Sequence, residues 1–224
     1  MGQAIGEILP LAIGIAISPV PIIAVILMLI TPRARGNGLA FLGGWMLGLV
    51  IVGSIVLILA NTAGVATSSG PSKTVSAIKL VLGLLLLVAA WRQFGKRPKP
   101  GEEATMPKWM RALDTFTPGR SLAIAALLSG VNPKNLILNA SAAAAIAQTG
   151  LPAAQQAVVL LVLVVVGSLG IIAPVGVYFA MGERAAPVLG GWKAWLAANN
   201  ATVMAVLFVI FGVTLIGKGI GGLS

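Results

Sequence analysis

Six long apolar stretches run through the chain, separated by short polar or basic segments. Residues 8–30, 39–60, 157–181 and 201–217 carry no charged side chain, while 75–91 carries only Lys79 and 121–147 only Lys134. A bilayer core needs about 20 apolar residues of helix to cross it. The pattern therefore predicts an all-α integral membrane protein with six transmembrane helices and a single transmembrane domain over 1–224. The first stretch does not read as a cleaved signal peptide. Its apolar run is too long, it lacks a basic start, and Glu7 precedes it.

The segments between helices are asymmetric in charge. The first linker holds Arg33 and Arg35. The third, over 92–120, holds Arg92, Lys96, Arg97, Lys99, Lys108, Arg111 and Arg120. The fifth, over 182–200, holds Arg184 and Lys193. The opposite side has Lys73 and, in the C-terminal tail, Lys218. Basic residues favour the cytoplasmic side, so the odd linkers are expected inside and both termini outside a bacterial plasma membrane. Trp91, Trp109, Trp192 and Trp195 all fall on that inner side, as interfacial anchors do. The run 96–101 in the third linker reads as a solvated loop facing lipid headgroups, or else as a docking site for a cytoplasmic partner.

Composition agrees. Hydrophobic residues make up 58% of the 224 positions, charged residues 9%, and mean hydropathy is +1.03, too little polar surface for a soluble domain. The net charge of +10 sits between apolar runs. It points to the anionic membrane leaflet and not to nucleic acid. There is no Cys and no His, which removes thiolate chemistry, disulfides and imidazole-ligated metals. No cofactor and no metal site are expected. No nucleophile–base pair stands out, apart from a weak Ser–Lys spacing of Ser18 or Ser129 with Lys134, so an enzyme is not expected.

An ungapped shift of 114 residues places Pro19 on Pro133, Gly36 on Gly150, Leu49 on Leu163 and Gly53-Ser54 on Gly167-Ser168. The expectation is two three-helix repeats, about 1–95 and 121–224, joined by the loop at about 92–120. An odd number of helices per repeat inverts the second, an architecture recurrent in alternating-access transporters. Small residues also recur simply because membrane helices need them to pack.

Two helices should be broken. Helix 1 contains Ser18-Pro19-Val20-Pro21, and helix 4 contains Asn132-Pro133-Lys134-Asn135 with Asn139 a turn later. Proline removes a main-chain donor and clashes with the preceding turn. Pro19 lies 14 residues from Arg33 and Lys134 lies 14 from Arg120, roughly 20 Å at the helical rise, so both breaks fall near mid-bilayer. Matched broken helices point to a transport site, and an intramembrane lysine is costly unless it is hydrated or paired. The candidate polar groups are Ser18, Asn132, Lys134, Asn135 and Asn139, with Pro19, Pro21 and Pro133 as hinges. Half-helix N-termini should add free N–H donors. No carboxylate lies nearby, so an anionic group is favoured. Lys79 and Glu7 sit toward the outer face. They are interfacial or snorkelling residues, or else an ion pair or a coupling site.

The stretches Ser18-Pro-Val-Pro-Ile-Ile-Ala-Val-Ile-Leu, Thr31-Pro-Arg-Ala-Arg-Gly-Asn and Phe41-Leu-Gly-Gly-Trp45-Met-Leu-Gly resemble the GAP family of peptidoglycolipid- or sulfolipid-addressing proteins. Asn132-Pro-Lys-Asn135 and Lys79-Leu-Val-Leu-Gly83, leading to Trp91-Arg-Gln, fit the same pattern. The resemblance implies membership of the lysine-exporter superfamily, with six helices in two three-helix repeats. It also implies a role in moving glycolipids to the cell envelope. Its motifs map onto Ser18, Pro19, Pro21, Asn132, Pro133, Lys134 and Asn135. The acidic intramembrane motifs of metal-handling branches are missing here.

Together these readings predict an exporter or flippase-like protein that moves an anionic lipid or glycolipid headgroup outward, with membrane lipids as its surroundings. The alternatives are an exporter of a small solute such as an amino acid, and a membrane scaffold for envelope-lipid machinery. A homodimer is left open, because Gly43, Gly44, Gly48 and Gly53 offer a close-packing face that could serve either a second copy or the chain itself.

Overall fold

The computed structural model describes residues 1–63, 73–95 and 115–223, without the side chains of residues 73, 74, 75, 78, 79 and 82. All regular structure among the described residues is helical. In chain order the helices are α1 (Gly2–Ala16), α2 (Pro19–Leu29), α3 (Ala34–Thr62), α4 (Lys73–Phe94), α5 (Pro118–Gly130), α6 (Pro133–Gln148), α7 (Ala153–Gly167), α8 (Leu169–Met181) and α9 (Ala185–Gly221). A 3₁₀ turn, Gly182–Arg184, precedes α9.

Helices α1 and α2 meet at a bend of 54°, and α5 and α6 at 64°. Each bend falls where the sequence places its prolines. Pro19 and Pro133 each occupy the first turn of the second helix of a pair, behind Ser18 and Asn132 as N-caps. A proline at the start of a helix loses only an N–H that would be an orphan there anyway. The prolines therefore end one helix and begin another. By length and apolarity, α3 and the run from Leu169 to Gly221 can cross a membrane, and counting each bent pair as one span raises the number to four among the described residues.

Two expectations are corrected. The fifth apolar stretch is not one helix, because it breaks at Ser168 between α7 and α8. The aligned pair Gly53-Ser54, by contrast, sits inside unbroken α3. The fifth linker is also not a loop. Residues 185–200 are the first part of α9: Pro187 falls in its first turn, where a missing N–H costs no helical bond, and the Ala-Trp-Leu-Ala-Ala run at 194–198 has high helix propensity. Helix α8 ends at Gly182, which has φ +58°.

The chain forms two compact units, Met1–Thr67 with Met106–Lys193, and Ser68–Thr105 with Ala194–Ser224. In the first, α3 packs on α5 at backbone distance. A Cβ on Gly44 would lie 2.1 Å from the Leu122 carbonyl oxygen, and one on Gly48 would lie 2.1 Å from Ser129 Oγ and 2.6 Å from the Ala126 carbonyl oxygen. Phe41, Trp45 and Leu49 of α3 are fully buried. Gly44, Gly48 and Gly53 are thus used inside the chain, while Gly43 meets nothing within 4 Å. In the second unit, α4 and the C-terminal part of α9 cross at facing glycines. A Cβ on Gly83 would meet the Gly212 carbonyl oxygen at 2.8 Å, and one on Gly212 would meet the Gly83 carbonyl oxygen at 3.0 Å.

These contacts separate neighbouring glycines. Gly44→Ala should destabilise the protein by about 1–3 kcal/mol through overpacking. Gly43→Ala should be neutral or stabilising by about 0.5–1 kcal/mol, since it only restricts the unfolded chain. Thermal unfolding of the two variants in detergent checks this contrast.

Candidate functional site

The prolines create a specific hydrogen-bond problem, and the structure solves it with side chains. In an uninterrupted helix Pro19 would donate to the Ile15 carbonyl and Pro21 to the Ile17 carbonyl, but neither has an N–H. The Ser18 N–H, which would serve Gly14, turns to the Ala16 carbonyl at 3.0 Å. Three carbonyls at the carboxyl end of α1 are thus left without their helical donors. The Ser18 hydroxyl donates to the Ile15 carbonyl at 2.7 Å. The Lys134 ammonium donates to the Gly14 carbonyl at 2.8 Å and to the Ile17 carbonyl at 2.8 Å. Its third proton goes to Ser18 Oγ at 2.7 Å.

Lys134 therefore reaches from the first turn of α6 to the last turn of α1. A lysine at a helix N-terminus opposes the local dipole, whereas an ammonium at a helix C-terminus complements it. The side chain leaves the unfavourable end for the favourable one.

The second break is handled in the same way. The Asn132 side-chain oxygen accepts from the Lys134 N–H at 3.1 Å and caps α6. The Asn135 Nδ2 donates to the Leu128 carbonyl at 3.0 Å, which the interrupted α5 leaves open. Asn135 Oδ1 also receives the Ser18 hydroxyl at 3.2 Å, so that one proton is shared between two acceptors. Ser18 and Asn135 are buried, and Lys134 is half-buried.

The third break, absent from the sequence reading, meets the same end of α1. The Ile171 N–H bonds to Ser168 and not to Gly167, and the buried Trp45 indole supplies the missing donor to the Gly167 carbonyl at 3.3 Å. A Cβ on Gly170 would sit 2.1 Å from the Ala16 carbonyl oxygen, and one on Gly167 would sit 3.2 Å from Ile15 Cγ2. Only glycine lets α8 and α7 approach α1 so closely.

Ser18, Lys134 and Asn135 are therefore in direct contact. Asn132 joins them through the Lys134 main chain. Asn139 does not: its Nδ2 donates to the Leu49 carbonyl in α3 at 2.9 Å, and its Oδ1 is buried without a partner, facing Gly53. The side chain of Lys79 lies outside the described residues, and so does most of the loop at 92–120 with Trp109. No ion pair involving Glu7 occurs among the described residues. It accepts from Gln3 Nε2 at 3.2 Å.

At the start of α2 the expected free N–H donors are few. In the first turn of α2, Pro19 and Pro21 have none, and Ile22 donates to the Ser18 carbonyl at 3.1 Å, which leaves only Val20 without a bond among the described residues. The ammonium's three protons all have acceptors. At the cluster, a cation matches the partial negative charge of a helix end. Trp45, Gly14, Gly167 and Gly170 carry the arrangement with the predicted residues. Asking which carbonyl each proline leaves unpaired would have exposed the problem from the sequence, but not its partners.

Removing the ammonium should leave the Gly14 and Ile17 carbonyls unpaired. Lys134→Met is expected to cost about 2 kcal/mol, a drop of roughly 4–8 °C in Tm for a chain of this size. It should also speed amide exchange across residues 14–22. Unchanged exchange there would refute the capping role.

No curated protein and no solved structure matches this chain. The sequence does match a protein family over residues 8–221, nearly its whole length. With its apolar helices, that match makes the chain a member of the Sap, sulfolipid-1-addressing protein family, placed with membrane lipid transport in general.

Proposed function

We propose that this protein moves an anionic lipid or glycolipid headgroup from the cytoplasmic to the outer side of a bacterial plasma membrane, through six spans arranged as two inverted three-helix repeats with both termini outside. The observation that carries the reading is the Lys134 ammonium bound to the open end of α1 at the junction of two broken helices. The family name points to a sulfated lipid, whose headgroup would be an anion. The matching starts of α2 and α6, each an N-cap followed by proline, support the repeat.

Charge-assisted hydrogen bonds between two ions are stronger than those from an ammonium to neutral carbonyls. An arriving sulfate, phosphate or carboxylate would therefore compete with Gly14, Ile17 and Ser18 for Lys134. Winning that competition would release α1 from α6 and favour the alternative arrangement of the pair. A ligand shifts such an equilibrium only by its differential affinity for the two states, and the latch supplies that difference. Ser18, Asn132 and Asn135 would hydrogen-bond the headgroup as the cluster opens, with Pro19, Pro21 and Pro133 at the hinges. Residues that flank the contact in sequence, Ile13, Ile17, Val131 and Pro133, are exposed. An apolar rim beside a polar headgroup site suits a lipid whose tails stay in the bilayer.

Liposomes containing the purified protein and a labelled anionic lipid test this. Wild type should move the lipid between leaflets. Lys134→Ala should lose about tenfold or more of the rate, equivalent to one strong charged contact. Lys134→Arg should keep part of it. Transport of an amino acid with no lipid movement would overturn the proposal.

A further inference from the structure

The second unit carries a groove that plays no part in the Lys134 cluster. Helices α4 and α9 run antiparallel and cross at Gly83 and Gly212, and there the Leu87 side chain closes over Gly212, with its Cδ2 2.9 Å from where a Cβ would stand. From that crossing a groove of about 400 Å³ runs toward the end of α4. The buried Ala90 and Ala205 form its floor. Trp91 and Phe94 on one side, and Val206, Val209 and Ile210 on the other, are exposed and form its walls. Small residues beneath large ones make a trough, and no lining side chain is charged.

Membrane helices touch lipid over much of their surface, so exposed apolar side chains alone single out nothing. Two features set this groove apart. It is concave and follows the helices from Leu87 to Phe94, about 10 Å at the helical rise. An acyl chain lies in the same direction, within a leaflet core about 15 Å deep. The groove also ends at a basic interface. Trp91 is 83% exposed, as an aromatic at headgroup level is. Beside it stands Arg92, also exposed, and Lys96, Arg97 and Lys99 follow in the sequence.

We propose that this groove holds one acyl chain of an anionic membrane phospholipid, with the lipid phosphate against Arg92. The tail covers the alanine floor, and a guanidinium pairs with phosphate through parallel hydrogen bonds. A second copy of the chain suits the surface less. Around a two-fold axis along the membrane normal, its own basic run after Trp91 would face this one, and opposed like charges are costly. A neutral lipid would fill the trough but leave Arg92 without a counter-charge. The groove lies wholly within the second unit and stands whether or not Lys134 takes part in transport.

Native mass spectrometry of the full chain in detergent tests this, after incubation with equal amounts of phosphatidylglycerol and phosphatidylcholine bearing the same acyl chains. Wild type should retain one lipid and favour phosphatidylglycerol about fivefold or more, the effect of one basic contact. Arg92→Gln should retain lipid but lose most of that preference. Val206→Trp and Ala90→Leu fill the groove from wall and floor. Both should lower retention about tenfold, the loss of about two buried methylenes. Val206 is exposed, so its variant is expected to fold. Leu84→Trp, at an exposed apolar position on α4 outside the groove, should retain lipid as wild type does. Unchanged retention in both groove variants, or equal retention of the two lipids by wild type, overturns the proposal. Retention lost in Lys134→Met but kept in the groove variants would put the lipid at the cluster instead. A wild-type dimer that Val206→Trp dissociates would give the groove to a second copy.

Discussion

The end of α1 imposes the constraint on which the rest of the first unit depends. Away from water, a main-chain carbonyl without a donor costs about 1–3 kcal/mol, and the two prolines after Ser18 remove the donors for Ile15 and Ile17. The chain meets this with a serine hydroxyl from the break itself and a lysine from a helix more than a hundred residues away. Because the partner of one broken helix is carried by the other, neither break is stable alone. The ammonium in turn needs α1, since an unpaired charge at that position would be expensive. The two breaks are one structure in two pieces.

Close approach makes that arrangement possible. The cluster brings four helix ends together, and the distances leave no room for side chains at Gly170 against Ala16 or at Gly44 and Gly48 against α5. Between helices in lipid there is little hydrophobic drive to assemble, so backbone contact and interhelical hydrogen bonds carry the packing. Trp45 combines both roles: its ring is fully buried and its indole N–H finishes the interrupted α7.

Much of this was legible in the chain. The bends lie at the prolines that mark them in the sequence, and the intramembrane lysine could be singled out because a charge in an apolar run demands a partner. Its partner was harder to find. An anion is the natural complement to a lysine near helix N-termini, yet the nearest negative end is the carboxyl terminus of α1, and proximity decided the pairing. Asn139 shows the same limit. It lies one turn from Asn135 and shares its chemistry, but it faces α3 and belongs to a different contact. The break at Ser168 had no proline to announce it. There α8 passes α1 at glycine distance.

The sequence alone determined the membrane-compatible helices, the places where two must break, and the residue types available to repair them. These follow from local chemistry: apolar run length, missing N–H groups, and the cost of charge in hydrocarbon. Tertiary structure decided which orphan carbonyl each donor serves, that Lys134 bridges helices instead of standing free, and that a third break joins the other two. Those outcomes depend on which helix ends come within about 3 Å of one another, the reach of a hydrogen bond. No local pattern encodes that distance.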